Sequence, residues 1–174
     1  MIGYETERRL KTFLLTLGEG EQYIERYRLR LCSIKDFCPY SVFQRLDRDA
    51  NERVSAYEIL NFLKDNNVYS ITERECSEFI TYYDSNNDGK LTFKDFKQIV
   101  LPCEDNKLRK TVLKRKSARC GRWDFLPVDI EQGLATLIEK EIEFARRLDS
   151  YKHDLNSRYD FTPYAAFKSI DKLS

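Results

Sequence analysis

The stretch "DSNNDGKLTFKD", Asp84 to Asp95, places oxygen-bearing side chains at every second position and then turns on a glycine. Its first, third and fifth residues are Asp84, Asn86 and Asp88, and Gly89 is the sixth. A hard divalent cation takes six to eight oxygen ligands, and this spacing wraps such oxygens around one point. Glycine suits the sixth position because positive φ costs it almost nothing. The stretch therefore predicts a cation-binding loop and not an ordinary polar turn.

A second copy of the pattern lies upstream in "DRDANERVSAYE", Asp47 to Glu58. The two loops start 37 residues apart, at 47 and 84. That interval has room for one exiting helix, a short linker and one entering helix. Val54 and Leu91 are both apolar at the eighth position of their loops. We therefore expect a short β bridge to pair the two loops.

Helix start and stop signals surround both loops. Ser55 with Glu58, and Thr72 with Glu75, are each three residues apart, as in a capping box at a helix N-terminus. Thr92 is placed to cap the helix after the second loop, which Pro102 would end. The chain also has few Gly (6) and Pro (4). These features predict an all-α fold with two helix-loop-helix units in succession.

From about residue 36 to 101, the chain resembles an EF-hand pair of the calmodulin and centrin superfamily. The resemblance implies Ca²⁺ as the bound ion, with Mg²⁺ as an option, above all in the second loop. In the first loop it implies the ligands Asp47, Asp49, Asn51, Arg53 (through its carbonyl), Ser55 and Glu58. In the second loop it implies Asp84, Asn86, Asp88, Lys90 (through its carbonyl), Thr92 and Asp95.

Both loops depart from the family pattern. Glu52 stands where a glycine is expected, so a residue with a side chain must adopt the left-handed turn, at a cost on the order of 1 kcal/mol. The second loop ends on Asp95, which is one methylene shorter than the usual bidentate Glu. A shorter carboxylate tends to offer one oxygen and narrows the preference for Ca²⁺ over Mg²⁺. We expect two sites of moderate, micromolar or weaker affinity.

The flanks of the pair also repeat. Residues 4–47 align with 128–171 at a constant offset of 124, so that "DFCPYSVFQRLD" falls on "DFTPYAAFKSID". Either the unit is a long helix followed by an EF-hand entering helix, or capped amphipathic helices simply look alike. The repeat leads us to expect a piece of a longer tandem protein. The predicted division is a long helix, interrupted or kinked at Gly18–Gly20, in 1–35; the EF-hand pair in 36–102; a basic connector in 103–126; and, in 127–174, a long amphipathic helix with the entering helix of an incomplete further unit.

The connector carries the strongest local charge. The segment from Lys107 to Arg122 has eight Lys or Arg and no acid, although the whole chain, with 30 Lys+Arg and 29 Asp+Glu, is close to neutral. It is either a solvated linker or an electrostatic contact with an acidic surface, such as tubulin tails or acidic lipid. Nucleic acid is the least favoured partner, because no nucleic-acid-binding fold surrounds the segment.

Other sequence features predict a soluble, intracellular protein that is not an enzyme. The five cysteines are odd in number and form no CxxC pair, which argues against a disulfide framework or a zinc site. The N-terminus lacks the apolar segment of a signal peptide, and no apolar run approaches membrane-spanning length. The single histidine, His153, has no nucleophile near it in sequence, and no catalytic motif is recognisable.

Three roles remain: a Ca²⁺ sensor that exposes an apolar cleft to a target protein, a Ca²⁺ buffer, and a structural or adaptor protein. The only methionine is Met1, which disfavours a sensor with a versatile Met-rich groove. A buffer has no need of long amphipathic helices. We therefore favour an adaptor that docks on a helical segment, of its own chain or of another protein, or on a filament. Tandem units of this kind resemble some cytoskeletal and ciliary proteins of protists, which implies a cytoskeletal, microtubule-associated or axonemal location.

Overall fold

A computed structural model describes residues 1–117 and 123–171. These residues contain eight helices. In chain order they are α1 (Tyr4–Ser33), α2 (Pro39–Leu46), α3 (Ala56–Asp65), α4 (Glu73–Tyr83), α5 (Phe93–Val100), α6 (Asn106–Leu113), α7 (Val128–Asn156) and α8 (Pro163–Asp171). The all-α fold class is confirmed.

The four helices α2 to α5 form two helix-loop-helix units, and their ends follow the predicted caps. Capping boxes open α3 at Ser55, α4 at Thr72 and α5 at Thr92. Between the loops, Val54 and Leu91 form an isolated antiparallel bridge, with N–H···O distances of 2.9 and 2.8 Å. The predicted pairing of the loops through this bridge is confirmed.

The described residues divide into two compact units. The central unit comprises residues 24–142, and the terminal unit comprises residues 1–23 with the described residues from 143 onward. In the central unit, the aromatic side chains Phe37, Phe62 and Phe96 are fully buried, as are Leu31 of α1 and Leu134 of α7. The last part of α1 and the first part of α7 thus share one core with helices α2 to α5.

A buried polar network fixes α1 against the pair. Arg28 donates through Nε to the carbonyl of Ile99 (2.9 Å) and through Nη2 to Glu141 (3.1 Å) and Tyr83 (3.3 Å). Tyr83 in turn donates to Glu141 at 2.6 Å. Burial alone would lower the pKa of the Arg28 guanidinium, but the combined attraction of Glu141, Tyr83, Cys103 and Glu25 outweighs it and raises that pKa. The guanidinium therefore stays charged, with partners from three elements.

A second network centres on Glu131 of α7, which is buried. Its carboxylate accepts from Arg45 Nε (2.6 Å), Asn66 Nδ2 (2.8 Å) and the backbone N–H of Leu126 (2.9 Å). The Arg45 side chain is also buried and pairs with Asp65 at 3.0 Å. One carboxylate therefore joins α2, the C-terminal end of α3 and the start of α7.

The terminal unit has its own small core of Ile2, Leu10, Leu155 and Ala166. The turn before α8 is held by Asp160, which accepts from Thr6 Oγ1 (2.6 Å) and from the backbone N–H of Gly3 (2.7 Å). The hydrogen bond from Thr6 is the main reason why the pKa of Asp160 is lowered. Arg9 and Asp154 add an ion pair.

Helix boundaries agree with the internal repeat. Val128, the first residue of α7, lies 124 residues after Tyr4, the first residue of α1. The same offset separates Pro163 of α8 from Pro39 of α2. Similar sequence has thus produced a long helix, a short turn and a short helix twice.

Of the two options predicted at Gly18–Gly20, the interruption is wrong, because α1 is helical throughout this stretch, and the kink stays a prediction. Gly20 has a packing role instead. A Cβ placed on it would lie 1.8 Å from Cε2 of Phe144, whereas a Cβ on Gly18 would meet no atom within 4 Å. Glycine at position 20 allows the Phe144 ring to lie against the helix backbone.

These two glycines give a matched prediction. Gly18→Ala is expected to stabilise the protein by up to about 1 kcal/mol, because alanine has the higher helix propensity and space is free. Gly20→Ala is expected to be about 1–3 kcal/mol less stable than Gly18→Ala, because the Phe144 ring must move. Urea denaturation followed by circular dichroism measures both. Equal stability of the two variants would contradict the packing role of Gly20.

The described part of the predicted connector, 103–117 and 123–126, is more ordered than a solvated linker. It contains α6, whose Val112 is fully buried. Arg115 Nη1 donates to the carbonyls of Cys32, Ile34 and Phe37, at 3.0, 2.8 and 2.9 Å. These contacts attach the first part of the connector to the central unit. Residues 118–122 of the connector and residues 172–174 at the end of the last predicted segment lie outside the described residues.

Candidate metal centre

The first loop brings three carboxylates to a common centre. One carboxylate oxygen from each of Asp47, Asp49 and Glu58 lies within 4.8 Å of the other two. Oxygens that share one Ca²⁺ at 2.3–2.6 Å are at most about 5 Å apart. The spacing of the three oxygens therefore fits a single divalent cation, and both ends of the loop contribute.

Backbone hydrogen bonds already shape this loop. Asp47 accepts from the backbone N–H groups of Asn51 (3.1 Å) and Glu52 (2.8 Å). Glu58 accepts from the backbone N–H groups of Arg48 (3.1 Å) and Ser55 (2.9 Å). Burial outweighs the backbone hydrogen bonds and raises the pKa of Asp47. A cation here would supply the positive charge that the carboxylates otherwise lack.

Glu52 adopts the left-handed backbone that its position in the loop demands. Its φ is +64°, and Gly89 at the matching position of the second loop has φ +78°. The prediction that a residue with a side chain must make this turn is confirmed. The associated strain, on the order of 1 kcal/mol, is expected to lower the cation affinity of the first loop relative to that of a loop with glycine at this position.

The second loop distributes its acidic groups differently. Asp84 accepts from the backbone N–H of Gly89 at 2.8 Å, which folds the turn. Asp95 accepts from the hydroxyls of Ser85 and Thr92, each at 2.7 Å. Burial opposes ionisation of Asp95, but these hydroxyls outweigh it and lower the pKa of its carboxyl. The charge at the end of the loop is therefore held by protein donors.

An ion pair crosses between the loops. The guanidinium of Arg53, the seventh residue of the first loop, pairs with the carboxylate of Asp88, the fifth of the second. Asp88 also accepts from Asn86 Nδ2 at 3.2 Å. A cation in the second loop must compete with Arg53 for this carboxylate. The side chain of Arg53 thus opposes cation binding in the neighbouring loop, although the resemblance assigns only its carbonyl as a ligand.

Removing this competitor gives a test of the second loop. Arg53→Gln is expected to raise its affinity for Ca²⁺ by up to about fivefold, because an exposed ion pair contributes about 0–1 kcal/mol. Titration calorimetry measures the affinity. Arg74→Gln is the matched control, since it breaks an exposed pair with Glu78 outside both loops. An equal gain in both variants would show a general charge effect and contradict the competition.

The polar residues assigned as further ligands take part in local hydrogen bonds. The Asn51 side chain accepts from Arg53 N at 2.9 Å, and Ser55 Oγ donates to Glu58 at 2.9 Å. Lys90 donates its backbone N–H to Asp88 at 3.0 Å. In the described part of the chain, the gathered acidic group belongs to the first loop alone. The structure thus brings the carboxylates of Asp47, Asp49 and Glu58 together. It does not gather the acidic residues of the second loop in the same way.

Sequence reasoning missed two contributors near the loops. Ser85 supports Asp95, and a donor hydroxyl at the second loop position was the available signal. Beside the first loop, the Arg48 guanidinium lies over the rings of Trp123 (5.5 Å) and Phe125 (5.8 Å). The aromatic pair directly after the basic run was the only hint of this contact. These rings extend the connector's attachment to the loop region.

Comparison with known proteins agrees with this geometry. Residues 40–101 match the EF-hand domain pair family, which covers 62 of the 174 residues. No curated protein and no solved structure matches the chain. The family implies divalent cation binding, typically of Ca²⁺, and the acidic cluster of the first loop is compatible with it.

Proposed function

Because residues 40–101 are an EF-hand domain pair, we propose that this protein is a Ca²⁺-binding structural adaptor without enzymatic activity. Asp47, Asp49 and Glu58 are its primary cation ligands. The other ligand positions assigned in the first loop complete the coordination. The second loop binds more weakly and discriminates less between Ca²⁺ and Mg²⁺. The observation that carries the cation assignment is the single centre shared by three carboxylates of the first loop.

The role of an adaptor is supported by the way the pair is closed within its own unit. A sensor opens on Ca²⁺ to expose an apolar groove. Here Phe62 and Phe96 are fully buried, as are Leu31 of α1 and Leu134 of α7. Moving α7 away from α2 to expose such a groove would separate the buried Arg45 from Glu131, and breaking a buried pair costs about 3–5 kcal/mol. We infer that the α1 and α7 segments of the central unit take the part that a target helix plays in a sensor.

The experiment that distinguishes the two roles is a calcium titration with two simultaneous readouts. Calorimetry reports cation uptake, and an apolar fluorescent dye reports newly exposed apolar surface. The adaptor predicts uptake in the first loop with little change in dye fluorescence. No uptake at millimolar Ca²⁺ would contradict cation binding. Uptake with a large rise in dye fluorescence would contradict the adaptor and favour a Ca²⁺ sensor that regulates a target protein.

We further propose that the basic connector contacts an acidic cytoskeletal surface, such as the tails of tubulin. Lys107, Lys110, Lys114 and Lys116 are exposed, whereas Arg115 is occupied by backbone carbonyls. The exposed lysines leave a positive face on and beside α6. Electrostatic attraction of this kind weakens as salt rises. A cytoplasmic site on the cytoskeleton or the ciliary axoneme would provide such a surface.

Cosedimentation with microtubules tests this contact. The test variant replaces four exposed lysines of the connector by glutamine, and the control replaces four exposed lysines elsewhere. The two sets are Lys107, Lys110, Lys114 and Lys116, and Lys11, Lys64, Lys94 and Lys152. We expect salt-sensitive binding that only the first variant loses. Equal loss in both variants, or no binding at low salt, would contradict the contact.

Membrane insertion has no support among the helices. Within residues 1–117 and 123–171, every helix is too short or too polar to cross a bilayer.

A further inference from the structure

One face of α8 presents three large apolar side chains to solvent. Tyr164, Phe167 and Ile170 follow one another at intervals of three residues, which places them on one side of a helix. Their exposed fractions are 68%, 66% and 47%. A group of large exposed apolar side chains marks an interaction site more often than single scattered residues do. We call these three residues the α8 face.

The opposite side of α8 is anchored. Ala166 is buried with Ile2, Leu10 and Leu155 in the core of the terminal unit. The core therefore fixes which way the helix is turned. The α8 face points to solvent because Ala166 holds the helix in this orientation.

The internal repeat supplies a covered version of the same face. Shifted by 124 residues, the α8 face corresponds to Tyr40, Phe43 and Leu46 of α2. There Phe43 is only 3% exposed and Leu46 only 1%, while Tyr40 at the end of the face is 42% exposed. The side that is buried in α8 is buried in α2 as well, since Val42, the counterpart of Ala166, is fully buried. The two helices thus differ at the α8 face and its counterpart on α2: other residues cover most of the counterpart, whereas the α8 face is exposed.

The cover on α2 shows what kind of surface fits. Phe93 of α5 packs its ring edge-on against Tyr40 and Phe43, at centroid distances of 5.2 and 5.4 Å. Phe96, three residues further along α5, lies 5.7 Å from Phe43. Edge-to-face aromatic pairs at these distances contribute beyond simple area burial. A helix with two aromatic residues three apart is therefore complementary to this arrangement.

We propose that the α8 face is a docking site for an amphipathic helix that carries two aromatic side chains three residues apart. The occupant is a partner with the chemistry of α5, since the face has the same aromatic residues as the one that α5 covers. Lys168 lies 5.1 Å above the Tyr164 ring and adds a positive charge at the rim. Three side chains make a small interface, so the contact is weak and reversible.

The test uses a synthetic peptide of residues 90–102, "KLTFKDFKQIVLP", as the probe. It is titrated into the full ¹⁵N-labelled chain and followed by amide chemical shifts. We expect saturable shifts in residues 163–171. The protein variant Phe167→Ser should bind about tenfold to a hundredfold more weakly, because the burial of a Phe side chain contributes a factor of this size to affinity. A peptide with both phenylalanines replaced by serine should not bind.

A matched control is Tyr69→Ser, which removes an aromatic side chain of similar exposure (70%) outside α8. It should bind the peptide as the wild-type chain does. Absence of saturable shifts, or equal binding by Phe167→Ser, would overturn the proposal. So would shifts confined to α2, where the peptide would merely replace α5. Self-association that Phe167→Ser abolishes would make a second copy the occupant and overturn it too.

Discussion

Replacing Glu131 by alanine is expected to lower the free energy of unfolding by about 3–5 kcal/mol, the usual effect of removing one partner of a buried ion pair. The carboxylate accepts from Arg45, Asn66 and the backbone of Leu126. Its loss leaves the buried guanidinium of Arg45 with Asp65 as its remaining carboxylate partner. Since the free energy of unfolding of ordinary domains is only about 5–15 kcal/mol, this loss would be a large fraction of it. Urea denaturation followed by circular dichroism measures the effect.

The repeat supplies a control at the same helical position. Glu7 of α1 corresponds to Glu131 of α7 but is exposed. Glu7→Ala is expected to change stability by no more than about 0.5 kcal/mol, as at most surface sites. Similar losses in the two variants would mean that helix propensity, and not the buried network, explains the result.

The second large effect is expected at the last position of the first loop. Glu58→Gln should weaken Ca²⁺ binding there on the order of a hundredfold, because the number of charged oxygens around the ion sets the affinity. Glutamine keeps an oxygen that can accept from Ser55 N, the bond that caps α3. The fold should therefore survive the change. Titration calorimetry measures the affinity, and circular dichroism confirms that the helices remain.

Glu75→Gln is the matched control for this variant. Glu75 occupies the same third position of the capping box that opens α4, away from both loops. It should leave Ca²⁺ affinity unchanged. If Glu58→Gln and Glu75→Gln bound Ca²⁺ equally well, Glu58 would not be a ligand of the ion.

Local chemistry predicted most of the EF-hand pair. The capping boxes depend on residues three apart, and the turn at Glu52 and Gly89 depends on one backbone angle. The bridge between Val54 and Leu91 follows once the loops are aligned. Such features are determined within about a dozen residues, so a single sequence is enough to locate them. The gathering of Asp47, Asp49 and Glu58 has the same local origin.

Long-range contacts could not be predicted in this way. Arg28 and Glu141 are 113 residues apart, and their pairing depends on how α1 and α7 pack in the central unit. A partial signal existed, because Arg28 lies on the same helical side as the apolar Ile24 and Leu31. Such a placement indicates a buried charge but does not identify its partner. The packing role of Gly20 could not be predicted either, because it depends on the position of Phe144, 124 residues further along the chain.

Crystals grown with excess Ca²⁺ would test the central claim most directly. The account predicts an anomalous scattering peak in the first loop, bonded at about 2.3–2.6 Å to oxygens of Asp47, Asp49 and Glu58. The second loop should be occupied only partly, with Arg53 still near Asp88 where the ion is absent. A fully occupied second loop beside a first loop whose carboxylates hold no ion would contradict it.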